Sequence, residues 1–352
     1  MKKRLLSILM IALMCPLLAF GSWSALYEGW EGHPRLGAGL IPTSLGAGLS
    51  FDWESGTSLY GLGWAGYKER MIWQDPVSGN LRTTNPPIYD YLGFSVELGV
   101  GQTLKDHSLS LGMRASYEMP FDSVIVGTAL PSGIVTSLAS WGSTPAFGNL
   151  HAIMVTVEGR YRFDRYYDRR TSADGVLLAF GARYGLDGFA SFDAEAKGAI
   201  TLVSETEKDR NLFSVVLVDR LVASYDLGRP IPLSVQDRHA FGSKIRGFSP
   251  LQYPLSFSVA NQLDLRFNGP ALLLDSLFPR MTLFCDVGYG YGTLANGTAI
   301  AYGMLASSGV ALSFTLGPFM DLGYQMAYLL QGENFANPGM KMVGELVAHL
   351  RF

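Results

Sequence analysis

The side chains that could do chemistry are few, and most sit in settings that discourage it. Five histidines stand at 33, 107, 151, 239 and 349, and none belongs to a metal spacing such as H-E-x-x-H, so neither a metal site nor a cofactor is expected. Asp237, Arg238 and His239 form an acid-base-imidazole run, but no Gly-x-Ser-x-Gly occurs and no nucleophile stands beside them. A loop histidine is the plainer reading, and the charges from Arg160 to Arg170 read as a strand end and solvated loop. More unusual is Gly242 to Pro254, GSKIRGFSPLQYP, where Arg246 stands between an apolar residue and a Gly-aromatic pair in a nearly neutral run. A guanidinium is a planar fork of donors, so it suits a carboxylate partner better than it suits isolation.

The elements that would have to position Arg246 are strands. The chain has 352 residues, 16 % charged, 12 % aromatic, 41 glycines and a net charge of −3. Soluble domains average about 25 % charged and about 7 % Gly. The small negative net charge gives no reason to expect a nucleic-acid partner. Period-two alternation recurs along most of the chain, which is the strand signal. Leu92, Phe94, Val96, Leu98 and Val100 oppose Ser95, Glu97 and glycines. Leu109, Leu111, Met113, Ala115 and Tyr117 oppose Ser110, Gly112, Arg114 and Ser116. Residues 151–163 and 255–267 alternate in the same way. About thirteen strands are clear, and weaker candidates at 35–41, in 123–136 and after Tyr225 raise the count to about sixteen, a range of about twelve to sixteen. Segments 68–90 and 118–149, rich in Pro, Gly, Ser and Thr, read as surface loops.

Residues 1–21 read as an export signal: three basic residues, an apolar run broken by Pro16, and a small-x-small ending at Ala19-Phe20-Gly21. A membrane-spanning helix and a lipoprotein anchor at Cys15 are the weaker alternatives. With the signal removed Cys285 is alone, so no intramolecular disulfide is expected. No later segment has about 18 consecutive apolar residues, so no helical membrane span is expected. A soluble sandwich would alternate too. Glycine content, length, the export signal and tyrosines at 67, 117, 161, 166, 184 and 291, where girdle residues would stand, favour instead an all-β, closed antiparallel transmembrane β-barrel over residues 22–352. Lipid leaves no strand edge satisfied, which is why closure is expected. The localisation expected is the bacterial outer membrane, with outer-membrane lipid as the surrounding partner.

Three elements in order then resemble a known family. Lys244-Ile245-Arg246-Gly247-Phe248 looks like the V-R-G-[FY] motif in the sixth extracellular loop of the bacterial surface antigen superfamily, the assembly and translocation barrels that include BamA and TamA. Residues 261–267, NQLDLRF, are similar to that family's next strand, and Phe284-Cys285-Asp286-Val287-Gly288 matches its F-x-D-x-G on the strand after. The terminal alternation of Leu346, Ala348, Leu350 and Phe352 fits the family's C-terminal insertion signal. The likeness is firm over 241–352 and generic before it. Ile245 stands for the usual Val, Asp264 for a common Glu, and POTRA domains are missing, so the chain resembles a reduced, POTRA-less branch.

Parity puts Asp264 and Asp286 on the polar faces of their strands, so both acids can point into the barrel. The alternation permits a contact with Arg246; the resemblance implies it, making Ile245 to Phe248 a loop latch held by Asp264 and Asp286. The resemblance also implies a non-enzymatic role in inserting or translocating proteins or lipids, with protein or lipid cargo and periplasmic accessory proteins as partners. A passive channel or a structural surface barrel is the other reading, and a barrel enzyme a third.

Overall fold

The computed structural model describes residues 21–32, 43–71, 88–122, 153–168, 172–186, 188–207, 210–228, 240–248, 257–270, 272, 277–293, 299–316, 320–335 and 339–350. Its strands are β1 (Gly21–Gly32), β2 (Thr43–Trp53), β3 (Thr57–Met71), β4 (Ile88–Leu104), β5 (His107–Asp122), β6 (Ile153–Asp164), β7 (Tyr167–Asp168), β8 (Ala173–Gly185), β9 (Ala190–Glu207) and β10 (Arg210–Leu227). A short 3-10 helix, η1 (Phe241–Lys244), follows, and then come β11 (Phe257–Asn268), β12 (Leu277–Thr293), β13 (Ala299–Leu316), β14 (Met320–Gln331) and β15 (Met342–Leu350).

Every strand except β7 pairs antiparallel with its neighbour in sequence, so fourteen strands form one up-and-down sheet and β7 adds a short pairing to β8. The sheet curls until β1 and β15 come within contact distance, and no ladder joins those two strands among the described residues. Among the described residues the count is fourteen, inside the expected range but short of sixteen. β1 pairs directly with β2, and β5 with β6; the weak candidates at 35–41 and in 123–136 lie outside the described residues.

Alternation sets the two faces. On β4, Phe94, Val96, Leu98 and Val100 are exposed while Ser95 and Glu97 are buried; β12 repeats the pattern with Met281, Leu283, Val287 and Tyr289 out and Thr282, Phe284 and Asp286 in. The sheet therefore wears its greasy side outward and its polar side inward, the reverse of a water-soluble sheet packed over a core. Aromatics mark the outward face at two levels. Tyr225, Phe257 and Tyr291 form a row across β10, β11 and β12, with ring centroids 6.3 and 5.1 Å apart, and Phe213 faces Phe267 at 6.4 Å nearer the other strand ends.

Strands outrun their alternation. β3 continues to Met71 and β4 begins at Ile88, while β5 continues through Pro120 to Asp122, so both ends of the expected loop 68–90 and the start of the expected loop 118–149 belong to the sheet. The ladder, not the hydrophobic pattern, decides where a hairpin stops. β1 starts at Gly21, the last residue of the segment expected to be the export signal. Tyr166 is not a girdle residue: it lies between β6 and β7 with its ring 4.1 Å from Lys197 Nζ. Residues 1–20 of the expected export signal 1–21, the Asp237-Arg238-His239 run and Phe352 lie outside the described residues.

Candidate functional site: an arginine loop docked on the inner face

After β10 the chain turns back over the inner face. Phe241, Ile245 and Phe248 are all buried and pack with Ala260 of β11, Leu305 of β13 and Leu329 of β14. Val222 of β10 and Val343 of β15 close the cluster. The short helix η1 ends at Lys244, and the extended Ile245 then carries the chain on to Arg246. Here the inner wall is locally apolar, because Ala260 and Gly288 leave room for the loop. A Cβ on Gly288 would stand 2.6 Å from Phe241 Cε2 and 3.0 Å from Ile245 Cδ1. The glycine of the F-x-D-x-G motif thus serves as floor space for the residue that begins I-R-G-F.

Arg246 meets both acids. Its Nε donates to Asp286 Oδ2 at 2.8 Å and its Nη2 to Asp286 Oδ1 at 2.6 Å, a bidentate pairing, and its backbone N–H donates to Asp286 Oδ2 at 2.9 Å. Nη2 also donates to Asp264 Oδ1 at 2.6 Å. Asp264 is shared with Arg266, whose Nη2 reaches Oδ2 at 3.2 Å, and Arg266 in turn pairs with Asp168. Asp286 has no solvent exposure at all, so the three donors of Arg246 replace its lost hydration. Below the guanidinium lies the ring of Phe284, 4.0 Å from Arg246 Cζ. The two carboxylates hold the guanidinium protonated, against the opposing effect of its burial.

Gly247 follows with φ +86°, a backbone setting that L side chains rarely adopt, and a Cβ there would stand 2.6 Å from Ala327 Cβ. Its carbonyl accepts a 2.6 Å bond from Nδ2 of the buried Asn334, on the connection between β14 and β15. On the other flank, Lys244 Nζ donates to Ser224 Oγ at 2.5 Å and Ser258 Oγ at 2.6 Å, and Gln262 Nε2 donates to the Lys244 carbonyl at 2.8 Å. Burial pushes the Lys244 amine down to about 8, with Asp226 and Asp193 only partly opposing it.

The structure brings together Ile245, Arg246, Gly247, Phe248, Asp264, Phe284, Asp286 and Gly288. Leu346 is on β15, exposed and away from this cluster. Ala348 and Leu350 lie in β15, and their side chains are outside the described set, as is Phe352. Alternation could have placed Phe284 inward, since it shares parity with Asp286. Nothing local in the sequence marks Asn334, Ser224 or Ser258, which come from three different strand ends.

A second polar network lies on the wall formed by β3 to β8. Tyr60 Oη donates to Glu97 at 2.9 Å, Arg114 and Arg160 each reach Glu97 at 3.2 Å, Arg160 also pairs with Glu158, and Arg183 Nε donates to Glu158 at 2.5 Å. Arg160, on the end part of β6, thus belongs to this inner network. A cavity of about 300 Å³ lies against it, lined in part by Ser108, Arg160, Arg183 and Asp193. Arg160 and Arg183 there are engaged with carboxylates. No group of three His, Cys, Asp or Glu residues able to hold a metal occurs among the described residues.

No protein-family model matches the chain, and no curated protein matches it. Among solved structures it is similar to BamA from Haemophilus ducreyi lacking POTRA domains 1-3, at 13 % identity and a TM-score of 0.55, over 94 % of this chain and 69 % of that one. It is also similar to CdiB from Escherichia coli, at 12 % identity and a TM-score of 0.53, over 88 % of this chain and 53 % of that one. The chain therefore spans about half the length of that CdiB chain. The likeness is one of fold: the sheet is of the BamA-like barrel type.

Proposed function

We propose that the chain is a closed outer-membrane β-barrel of the surface antigen type that inserts or translocates proteins or lipids, with Ile245 to Phe248 as a loop latch. The outward apolar face between two aromatic levels supports the membrane setting, and the fold likeness to BamA and CdiB supports the class. The observation that carries the reading is the bidentate Arg246–Asp286 pair. A passive pore has no need to hold a loop against its wall with a fully buried charge. A barrel whose first and last strands part would need something that keeps the rest of the wall in register, and the loop touches β10 to β15.

In this reading the unladdered approach of β1 and β15 is the seam, and protein or lipid cargo passes there with periplasmic accessory proteins delivering it. Residues 1–21 are the export signal, and 346–352 carry the signal by which the barrel is itself inserted. The role in this reading is not enzymatic, and the inner arginines Arg114, Arg160, Arg183 and Arg246 are each engaged with carboxylates.

The test is reconstitution. Purified barrel in liposomes should accelerate folding of an added outer-membrane barrel substrate, and Arg246→Ala should abolish most of that acceleration while the variant still shows a heat-dependent gel shift. A steady open-pore conductance in planar bilayers that Arg246→Ala leaves unchanged, with no acceleration of substrate folding, would overturn the proposal in favour of a passive channel.

A further inference from the structure

On the outward face of β10, alternation runs Phe213, Val215, Leu217, Asp219, Leu221, Ala223, Tyr225. Six are apolar and the fourth is an acid. The face of β11 beside it runs Phe257, Val259, Asn261, Leu263, Leu265, Phe267. Asn261 Nδ2 donates to Asp219 Oδ1 at 2.7 Å, in an exposed setting. Asp219 lies six residues from Phe213 and six from Tyr225, midway between the two aromatic levels, and Asn261 lies near the same level between Phe257 and Phe267. If the aromatic levels are the girdles of a bilayer, this pair sits near its midplane.

A carboxylate facing hydrocarbon is costly, and so is each unpaired amide or carbonyl group. Among the described residues, the bond between Asn261 and Asp219 is the one bond either side chain makes. One carboxylate oxygen, one amide N–H and the amide oxygen are thus left over, so donor and acceptor capacity stand side by side. Such a patch is self-complementary: a two-fold axis running between the side chains sets each copy's free amide N–H against the other copy's free carboxylate oxygen, and keeps the two carboxylates apart. The neighbouring outward positions of β9 are Ala194, Ala196 and Gly198, with Gly198 directly opposite Asp219. A Cβ at Gly198 would meet nothing within 4 Å, so a second wall can approach the β10 backbone there.

We propose that the outward face of β9 to β11 is a dimer interface between two copies of this chain, centred on Asp219 and Asn261. The inference rests on the reading that this face lies within a bilayer, and the experiment separates the two. In a Cys285→Ser background in lipid nanodiscs, Leu263→Cys, beside the pair, is compared with Leu98→Cys on the outward face of β4. A polarity-sensitive fluorophore on Leu98→Cys should report an apolar environment; an aqueous signal overturns the bilayer reading. Given an apolar signal, oxidation should link most of the Leu263→Cys protein into a covalent dimer and leave Leu98→Cys monomeric. Adding Asp219→Leu and Asn261→Leu should lower the linked fraction at least fivefold while the heat-dependent gel shift persists. No dimer from Leu263→Cys, equal dimer from both positions, or linking indifferent to the double leucine substitution each overturns the interface. Linking of Leu263→Cys only to another membrane protein in whole cells also overturns it.

Discussion

Arg246 illustrates how one side chain acquires a task from its surroundings. Asp286 is inaccessible to water and accepts three bonds from Arg246, so deleting the guanidinium strands a buried carboxylate. Breaking such a pair from one side typically costs about 3 to 5 kcal/mol. Arg246→Ala should therefore release the loop, seen as protease cleavage within 240–248 that the wild type resists. Arg246→Lys keeps the charge but cannot span both oxygens of Asp286, so it should fall between the two. Cleavage rates equal to wild type in Arg246→Ala would show that the apolar anchors hold the loop alone. Gly247→Ala should release the loop without touching any charge, because its φ of +86° and the nearby Ala327 oppose a methyl group by about 1 to 3 kcal/mol.

Lys244 gives the same loop a pH dependence. Its folded-state value is lowered to about 8 from 10.5, so the docked loop binds its proton less tightly than the released loop does. The penalty for docking a charged amine is complete below about pH 8, fades as pH rises from about 8 to 10.5, and is absent above. Protection of the loop from protease should thus increase across that window in the wild type. In Lys244→Met the increase should vanish. A rise of equal size in both proteins would place the titration elsewhere.

At the scale of elements, the last hairpin and the loop are one unit. Asn334 donates to the Gly247 carbonyl from the β14–β15 connection, and Val343 of β15 packs on the same apolar cluster as Phe248. Asn334→Ala leaves a buried carbonyl without that donor, a loss of about 1 to 3 kcal/mol. It should loosen β15 and the loop together, as faster amide exchange in both 240–248 and 342–350, with β4 and β5 unchanged. Exchange that rises in the loop alone would mean that the hairpin is not coupled to it.

How much of this could be read beforehand divides along the same lines. Which strands face where was legible, because period two is written into residues such as Leu92 to Val100 and survives folding intact. The inward parity of Asp264 and Asp286 was legible for that reason. Where strands stop was not, since Lys68 to Met71 and Met119 to Asp122 are held by ladder bonds that carry no hydrophobic signature. Nor were Asn334 or the Ser224–Ser258 pair, which become partners of the loop through register across several strands. Arg160 shows the limit from the other side: its place on the polar face of a strand was legible, but its partner Glu97 is brought to it from 63 residues away.

For the whole molecule the decisive question is whether the two ends of the sheet are bonded. Interior strands such as β11 and β12 share unbroken ladders along their length. β1 and β15 each have one laddered neighbour, and they approach each other with no ladder among the described residues. Amide protection follows local opening free energy, so an edge bonded on one side should open more readily than a strand bonded on both. In lipid the same unpaired groups have no water to turn to, which makes the seam a place of stored cost and of easy separation. Hydrogen exchange in nanodiscs should therefore be faster in β1 and β15 than in β11 and β12, by on the order of a hundredfold. Equal protection in all four strands would mean a fully bonded, closed wall. That result suits a passive channel and leaves no opening through which cargo could enter the bilayer sideways.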